Sequence, residues 1–377
     1  MSVPTAPPLA RGPLRGLLLR AILLGSLPAL VLLIPLGGCA AADKARQGLD
    51  SASTPNGTPA AAITGSAPAA TSGASPVPGV GAGSQPIEEG PALPSDPSLP
   101  RSADGRHYPL LPRRPEELAT LLSGLEQALR DPATAEADLP RLAHQQQVIY
   151  RVLAHRQELA AEVRRRLPPR WQPVADQHLA ARRAFVAMHR GQRRSTMLPA
   201  WRIIPPEPAE NLLALYRSAS AETGIPWEVL AAVNLVESGM GRIDGVSVAD
   251  AHGPMQFLPS TWAEPGIGNG GDIRRPADAI PAAARYLVRR GGLRDLRRGL
   301  WGYNNSRYYG DAVLAYAALL KADPAAYRGL FHWEIHYASA AGDLWLPVGY
   351  RQSKPIPVSR YLQQEPASAP PPGSSGE

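Results

Sequence analysis

Residues 226–241 read PWEVLAAVNLVESGMG and predict a helix that carries an acid on its apolar side. The stretch begins with a proline, and Gly239 follows the last turn, which is the usual asymmetry of helix ends. Leu230, Val233 and Glu237 are separated by three and four residues, so all three side chains lie on one face of the helix. We therefore expect a buried helix with a carboxylate near its C-terminal end.

Glu237 occupies a position that is costly for a carboxylate. Burial disfavours the charged form of a carboxyl group and raises its pKa, and the C-terminal end of the helix dipole acts in the same direction. A raised pKa is the condition that a general acid needs near neutral pH. On position alone two interpretations are open: Glu237 is a catalytic acid, or it is a structural carboxylate paired with an arginine such as Arg242.

Three motifs stand in order along the chain and together resemble one enzyme family. They are VESGMG at residues 236–241, GPMQFLPSTW at residues 253–262 and WGYNN at residues 301–305. These segments resemble the Glu-Ser, Gly-x-Met-Gln and Tyr-Asn signatures of the lytic transglycosylases of the lysozyme-like superfamily, and DIRRPADAI at residues 272–280 is similar to the family's helix entry. The resemblance covers residues 205–327 and implies a mainly α-helical, lysozyme-like transglycosylase domain.

The resemblance also implies a reaction and the residues that perform it. Lytic transglycosylases cut the glycan strands of peptidoglycan after N-acetylmuramic acid and form a 1,6-anhydro ring without water. Glu237 would act as acid and then as base, and no second catalytic carboxylate is needed because the sugar's N-acetyl group can support the oxocarbenium-like centre. Tyr303 is further expected to hydrogen-bond Glu237. The matched positions expected to bind the substrate are Ser238, Met255, Gln256, Tyr303 and Asn304.

The sequence leaves other classes of function open. If Asp244, Asp250 or Asp272 held a water opposite Glu237, the enzyme would be an inverting hydrolase. A chain that kept the fold only to bind glycan would be a non-catalytic envelope protein, and a third reading makes the Arg-rich helices a scaffold. The loop at residues 268–272 lacks the alternating acidic ligands of a calcium site, so we expect no metal, and nothing in the sequence calls for a cofactor.

The first 39 residues predict export. A basic start with three arginines precedes an apolar stretch that ends in LGGC at residues 36–39, and this order is typical of a signal peptide. The ending resembles the bacterial lipobox, which implies a lipid on Cys39; an uncleaved anchor helix and simple secretion are the alternatives. Cys39 is the only cysteine, so neither an intramolecular disulfide nor a Cys-based metal site can form. We expect an extracytoplasmic, membrane-anchored lipoprotein of a bacterial cell envelope.

Composition divides the rest of the chain. Residues 40–108 are rich in Ala, Pro, Gly, Ser and Thr and predict a disordered linker, as do residues 363–377 for a disordered tail. Residues 109–200 hold three amphipathic, Arg-rich segments, which predict a helical hairpin or small bundle. The transglycosylase domain then spans residues 201–327. Alternating apolar residues on either side of an Ala-Gly-Asp turn predict a β-hairpin within residues 328–362.

The net charge of +7 is concentrated in one part of the chain, because residues 101–200 contain 17 Arg against 10 Asp and Glu. These arginines are either the solvated faces of helices or a surface that attracts an anionic envelope polymer. Nucleic acid is not an expected partner, because an exported chain without a basic-aromatic recognition motif lacks the means to bind it. His144 and His178 in this region are expected to face solvent or cap helices and not to bind metal.

Overall fold

The computed structural model describes residues 91–371. Cys39, the signal peptide and residues 40–90 of the predicted linker lie outside the described residues, as do the last six residues of the predicted tail. The described part is mainly α-helical with small antiparallel strand pairs, so the predicted fold class is confirmed. Within it the helices are α1 Pro115–Ala128, α2 Leu139–His155, α3 Gln157–Arg166, α4 Gln172–Met188, α5 Ala209–Thr223, α6 Trp227–Ser238, α7 Pro259–Trp262, α8 Pro276–Arg289, α9 Leu296–Tyr303, α10 Arg307–Ala322, α11 Ala326–Phe331 and α12 Val358–Gln364.

Six short strands form three antiparallel pairs in the described part of the chain. The strands are β1 Met197–Leu198, β2 Arg202–Ile203, β3 Ile243–Asp244, β4 Ile335–Ser339, β5 Gly342–Leu346 and β6 Ile356–Pro357. β4 and β5 form the C-terminal hairpin, with Ile335 opposite Leu346 and Ser339 opposite Gly342. β1 pairs with β6 and β2 with β3. The two outer pairs therefore tie the segment before α5 to the chain after α6 and to the C-terminal end.

Several helices begin at a proline or end at a glycine of the sequence. A proline stands in the first turn of α1 and α8, and Gly224 ends α5 in the left-handed conformation with φ +79°. The three segments expected in residues 109–200 form four helices, because Arg156 adopts φ −105° and ψ 82°, outside the helical region, and so separates α2 from α3. α9 was not predicted from its apolar pattern; the side chain of Asp295 caps it by accepting from the backbone N–H of Arg297 at 2.9 Å.

The Arg-rich helices do not form a separate bundle. α4 packs against α10 and α2, and α10 also packs against α6. Leu125 and Tyr150 of the N-terminal helices belong to the same hydrophobic core as Leu230 and Tyr316. Residues on both sides of the boundary expected between residues 200 and 201 therefore share one hydrophobic core.

Packed structure extends beyond both ends expected for it. Tyr108, placed in the predicted linker, is buried, and its hydroxyl donates to the carbonyl of Asp343 at 3.0 Å. Tyr361 and Ser368 are also buried, with their hydroxyl oxygens 3.0 Å apart. A few buried side chains and the ion pair of Arg106 with Glu334 hold these segments, and average composition does not reveal such contacts.

Two histidines expected on the surface lie in the interior. His144 is buried with its Nε2 3.0 Å from Nε2 of His336, and His178 stacks on Tyr150 with ring centroids 4.2 Å apart. Burial holds the pKa of both well below the usual value, so both rings are neutral at physiological pH. The expectation of solvent-facing positions was therefore wrong for this pair. Residues 91–371 contain no cluster of three or more His, Cys, Asp or Glu that could hold a metal ion.

Candidate active site

α6 carries Glu237 into the interior at the point where the helix ends. Glu237 is only 2 % exposed, and Leu230 and Val233 on the same face are fully buried, as their spacing predicted. Gly239 ends the helix with φ +61°. The positive φ favours glycine here. A Cβ at this position would lie 2.4 Å from Cδ1 of Ile335, so a larger residue would also have to displace the end of that side chain.

Tyr309 on α10 is the residue that holds Glu237. Its buried hydroxyl donates to Oε1 of Glu237 at 2.7 Å. The hydrogen bond expected from Tyr303 is therefore made by a different tyrosine. Tyr303 instead donates to the carbonyl of Met255 at 2.7 Å, and its ring lies parallel to that of Tyr309 with centroids 6.2 Å apart.

Tyr309 was missed in the sequence because the order of the motifs does not show which side chains of α10 face the interior. Ser306 caps that helix by accepting from the backbone N–H of Tyr309, and this cap decides which of two successive tyrosines points inward. Tyr309 is buried, while Tyr308 is only half-buried and accepts from Arg307 at 2.8 Å. A serine three residues before Tyr309 is a recognisable N-cap signal and was available in the sequence.

The electrostatic setting of Glu237 suits an acid. Burial raises the pKa of Glu237 to about 8, and the hydrogen bond from Tyr309 acts weakly in the opposite direction. The carboxyl group is therefore mostly protonated at neutral pH and can donate a proton. Arg242, the alternative structural partner, donates to the carbonyl of Gly239 at 3.0 Å and lies over the ring of Phe331. The interpretation of Glu237 as one half of an ion pair with Arg242 is wrong.

A tight loop faces the end of α6. Gly253 has φ +74°, and a Cβ there would lie 1.9 Å from the carbonyl oxygen of Ile273. Gln256 also has a positive φ, of 47°, and its Nε2 donates to the carbonyl of Gly253 at 2.9 Å. Met255 between them is fully buried. The close approach of residues 273–274 thus fixes the loop that presents Gln256.

Ser238 joins this loop to α6. Its hydroxyl donates to the carbonyl of Pro254 at 2.5 Å and accepts from the backbone N–H of Gly241 at 3.0 Å. Asn234, one turn earlier, donates to the same carbonyl at 2.8 Å. Ser238 and Met255 are both fully buried. Ser238 thus holds the loop against α6, and binding of substrate by Ser238 and Met255 stays a prediction.

Asn304 stands out as a buried amide without partners. It follows Tyr303 at the end of α9, and neither Oδ1 nor Nδ2 finds a hydrogen-bond partner among the described residues. An unpaired buried polar group costs about 1–3 kcal/mol. Such a group, next in the chain to Tyr303, is suited to a ligand that supplies the missing donor and acceptor.

The three aspartates considered for a hydrolytic mechanism all have other partners. Asp244 pairs with Arg202 between β2 and β3, and Asp250 lies 2.9 Å from Nε2 of His252. Asp272 accepts from the backbone N–H of Arg274 at 2.8 Å. In residues 91–371 the recorded hydrogen-bond partner of the Glu237 carboxyl group is a tyrosine, and no second carboxylate shares its site.

The fold and the site define a helical domain with a buried acid that is held by a neutral hydroxyl. Compared with known protein families, residues 214–318 match the transglycosylase SLT domain. This part of the chain is therefore a lytic transglycosylase-type SLT domain of the lysozyme-like superfamily, as the three motifs predicted. A search of curated proteins and a search of solved structures gave no match.

The family gives the domain a general function. SLT domains act on the peptidoglycan of the cell wall, so this domain is of the transglycosylase type, binds peptidoglycan and works outside the cytoplasm. In the described range, 91–371, no helix is both long enough and apolar enough to span a membrane.

Proposed function

We propose that the protein is a murein lytic transglycosylase that cleaves the β-1,4 bond between N-acetylmuramic acid and N-acetylglucosamine and leaves a 1,6-anhydro ring on the muramic acid. The observation that carries the proposal is the environment of Glu237: a buried carboxyl group with a pKa of about 8, held by Tyr309 and without a neighbouring carboxylate. A single acid that is protonated at neutral pH suits a mechanism with one acid/base and no positioned water.

The reaction proceeds in two proton transfers through Glu237. The protonated carboxyl group first gives its proton to the glycosidic oxygen, and the bond from that oxygen to C1 of the muramic acid breaks. The N-acetyl carbonyl supports the positive centre at C1. The Glu237 carboxylate then takes the proton of the C6 hydroxyl while that oxygen bonds to C1 and closes the ring. The enzyme ends protonated as it began, and no water is consumed.

Tyr309 stabilises the intermediate charge state. A hydrogen bond to a carboxylate favours its charged form, so the Tyr309 hydroxyl supports Glu237 between the two transfers. Gln256 and the unpartnered amide of Asn304 contact sugar hydroxyl or acetamido groups in this proposal. Ser238, Met255 and Tyr303 keep the loop and the Tyr309 ring in place.

The proposal is tested by digestion of purified peptidoglycan with the full chain and with its Glu237→Gln variant. Wild type is expected to release muropeptides that carry the anhydro ring, as identified by mass spectrometry, and Glu237→Gln to release none. Products one water heavier would indicate the lysozyme-type hydrolase. Binding of peptidoglycan without any product from wild type would indicate a non-catalytic glycan-binding protein.

We further propose that Cys39 carries a lipid anchor to a membrane of the cell envelope. The support is the basic and apolar start of the chain and its LGGC ending at residues 36–39. The linker that follows would hold the catalytic domain away from the membrane. Cys39→Ala is expected to move the protein from the detergent-rich to the aqueous phase in detergent partitioning. Equal partitioning of both forms would argue against the anchor.

A further inference from the structure

A cavity of about 70 Å³ lies behind the catalytic helix. Leu235 and Gly239 line it, and each stands two residues from Glu237, about 200° around the helix axis. The cavity therefore opens on the face of α6 opposite the acid. Phe185 and Met188 of α4 and Ile335 of β4 complete much of an apolar wall. By the usual measure this volume holds several waters.

Two arginines line this cavity, and only one of them has a carboxylate partner. Arg151 makes two hydrogen bonds to the carboxylate of Asp343. Arg182 has no ion pair within residues 91–371, and its Nε is buried without an acceptor there. Its one recorded hydrogen-bond partner is the hydroxyl of Tyr316. The acid that lines the cavity, Glu334, is 2.8 Å from the guanidinium of Arg106.

The cavity thus holds one uncompensated positive charge. Arg182 as a whole is half-buried and its guanidinium lies over the ring of Phe185, but its Nε is shielded from solvent without an acceptor, which is costly for a charged group. Burial lowers the pKa of Arg182 to about 10. The side chain is still charged at neutral pH. An anion from outside the chain would supply the missing acceptor, and the planar guanidinium group matches a carboxylate with two parallel hydrogen bonds.

We propose that this cavity is a binding site for a small organic carboxylate, with the carboxylate on Arg182 and an apolar body against Phe185, Met188 and Leu235. A monoanion neutralises the one positive charge of Arg182, whereas a phosphate dianion would leave one negative charge in excess. The apolar wall favours a ligand with a short hydrocarbon part over a fully hydrated inorganic ion. Both a free short-chain carboxylate and the C-terminal alanine of a peptide have this chemistry.

The binding experiment uses the full chain and four probes. Isobutyrate represents a free carboxylate and N-acetyl-D-alanine a peptide C-terminus; N-acetyl-D-alaninamide is the uncharged control and inorganic phosphate the dianion. Isothermal titration and the shift of the unfolding temperature are measured for each. We expect saturable binding of one or both carboxylates and at least about tenfold weaker binding of the amide and of phosphate, because the charge-assisted pair is lost or mismatched.

Variants separate this site from general effects of charge. Arg182→Gln is expected to weaken carboxylate binding at least about tenfold. Arg183→Gln is the matched control, since Arg183 is the exposed neighbour on the same helix and should bind as wild type does. If Arg182→Gln does not fold, Arg182→Lys is used in its place. Lysine keeps the positive charge but lacks the two parallel N–H donors of the guanidinium group, so it should also weaken binding.

Three results would overturn the site. They are the absence of saturable binding by either carboxylate, equal binding of N-acetyl-D-alanine and its amide, and equal affinity of wild type and the Arg182 variants. Tighter binding of phosphate than of both carboxylates would overturn the class of ligand. Peptidoglycan cleavage is not the readout, so these results stand apart from the proposed catalytic activity.

Discussion

At the scale of single residues, the pKa of Glu237 is the property that connects the fold to the chemistry. The carboxyl group lies on an apolar helical face, and its hydrogen-bond partner is a neutral hydroxyl and not a cation. Had Arg242 paired with it, the pKa would have fallen and the acid would have been lost at neutral pH. Tyr309 orients the group without adding a charge.

The raised pKa of Glu237 makes stability depend on pH in a defined direction. Between its ordinary value of 4.5 and about 8, the folded state binds a proton that the unfolded state has released, so the free energy of unfolding falls as pH rises through that window. Glu237→Gln removes this contribution. We expect the variant to exceed wild type in stability at pH 8–9, by up to about 5 kcal/mol since each pKa unit corresponds to about 1.4 kcal/mol. Urea unfolding at pH 5 and pH 9 tests this, and parallel pH dependence of both proteins would contradict it.

Tyr309→Phe removes the hydrogen bond to Glu237 without removing the ring. Hydrogen bonds to charged groups contribute about 1.5–3 kcal/mol, so kcat is expected to fall about 10- to 100-fold, while the fold is kept. Tyr308→Phe is the matched control, because that hydroxyl contacts Arg307 and not the acid. Turnover of peptidoglycan is compared for the two variants, and equal loss in both would show that Tyr309 does not act through Glu237.

The residues of the site differed in how far the sequence could place them. The position of Glu237 followed from helical spacing alone. The sequence did not show which tyrosine hydrogen-bonds Glu237, because that depends on where Ser306 starts α10. The buried positions of Ser238 and Met255 depend on contacts between distant segments, which a motif does not reveal.

At the scale of elements, the loop at residues 253–256 is held by a contact that leaves no room for a side chain. Gly253→Ala is expected to be destabilising by more than 2 kcal/mol, since it combines a positive φ with a clash against the carbonyl of Ile273. Gly270→Ala is the matched control: its φ is +76° and nothing lies within 4 Å of its Cβ position. It should cost only about 1 kcal/mol, the conformational part. Chemical unfolding and activity of both variants are measured. Similar losses of stability in the two variants would show that the contact between Gly253 and Ile273 does not hold the loop.

Pro226 and Gly239 marked the ends of α6 in the sequence, whereas neither end of α9 carries such a signal. Pro115 and Gly239 mark ends of α1 and α6 that the structure reproduces. α9 contains two glycines and two arginines among its eight residues, so its helical pattern is weak. Its formation depends on the cap at Asp295 and on packing against α8 and α10. The break between α2 and α3 at Arg156 is not marked by a proline or a glycine in the sequence.

At the scale of the whole molecule, the Arg-rich helices and the SLT domain depend on one another. α4 packs on α10, which carries Tyr309, so removal of α4 would expose the apolar side of that helix. We expect a fragment of residues 201–371 to aggregate or to lack cooperative unfolding, while residues 91–371 unfold cooperatively. Thermal unfolding followed by circular dichroism compares the two. A shorter fragment that unfolds cooperatively and cleaves peptidoglycan would show that α1 to α4 are dispensable.

The surplus of positive charge also belongs to the whole molecule, and an anionic envelope polymer as its partner is a proposal. Arg183, Arg190 and Arg193 are exposed and form no ion pair in the described part of the chain. Their joint replacement by glutamine is expected to reduce co-sedimentation with a polyanion and its dependence on salt, because screening acts on exposed charges. The same number of replacements at Arg165, Arg202 and Arg297, which have acidic partners, serves as the control. Equal effects of the two sets would assign the attraction to net charge alone.

The central claim, that Glu237 closes an anhydro ring without water, is tested most directly by the source of oxygen in the product. Peptidoglycan is digested by the full chain in water labelled with a heavy oxygen isotope, and the new chain ends are analysed by mass spectrometry. The mechanism predicts anhydro ends without label, because the C6 oxygen of the sugar itself attacks C1. Label at C1 of the new ends, with free reducing sugars, would contradict it.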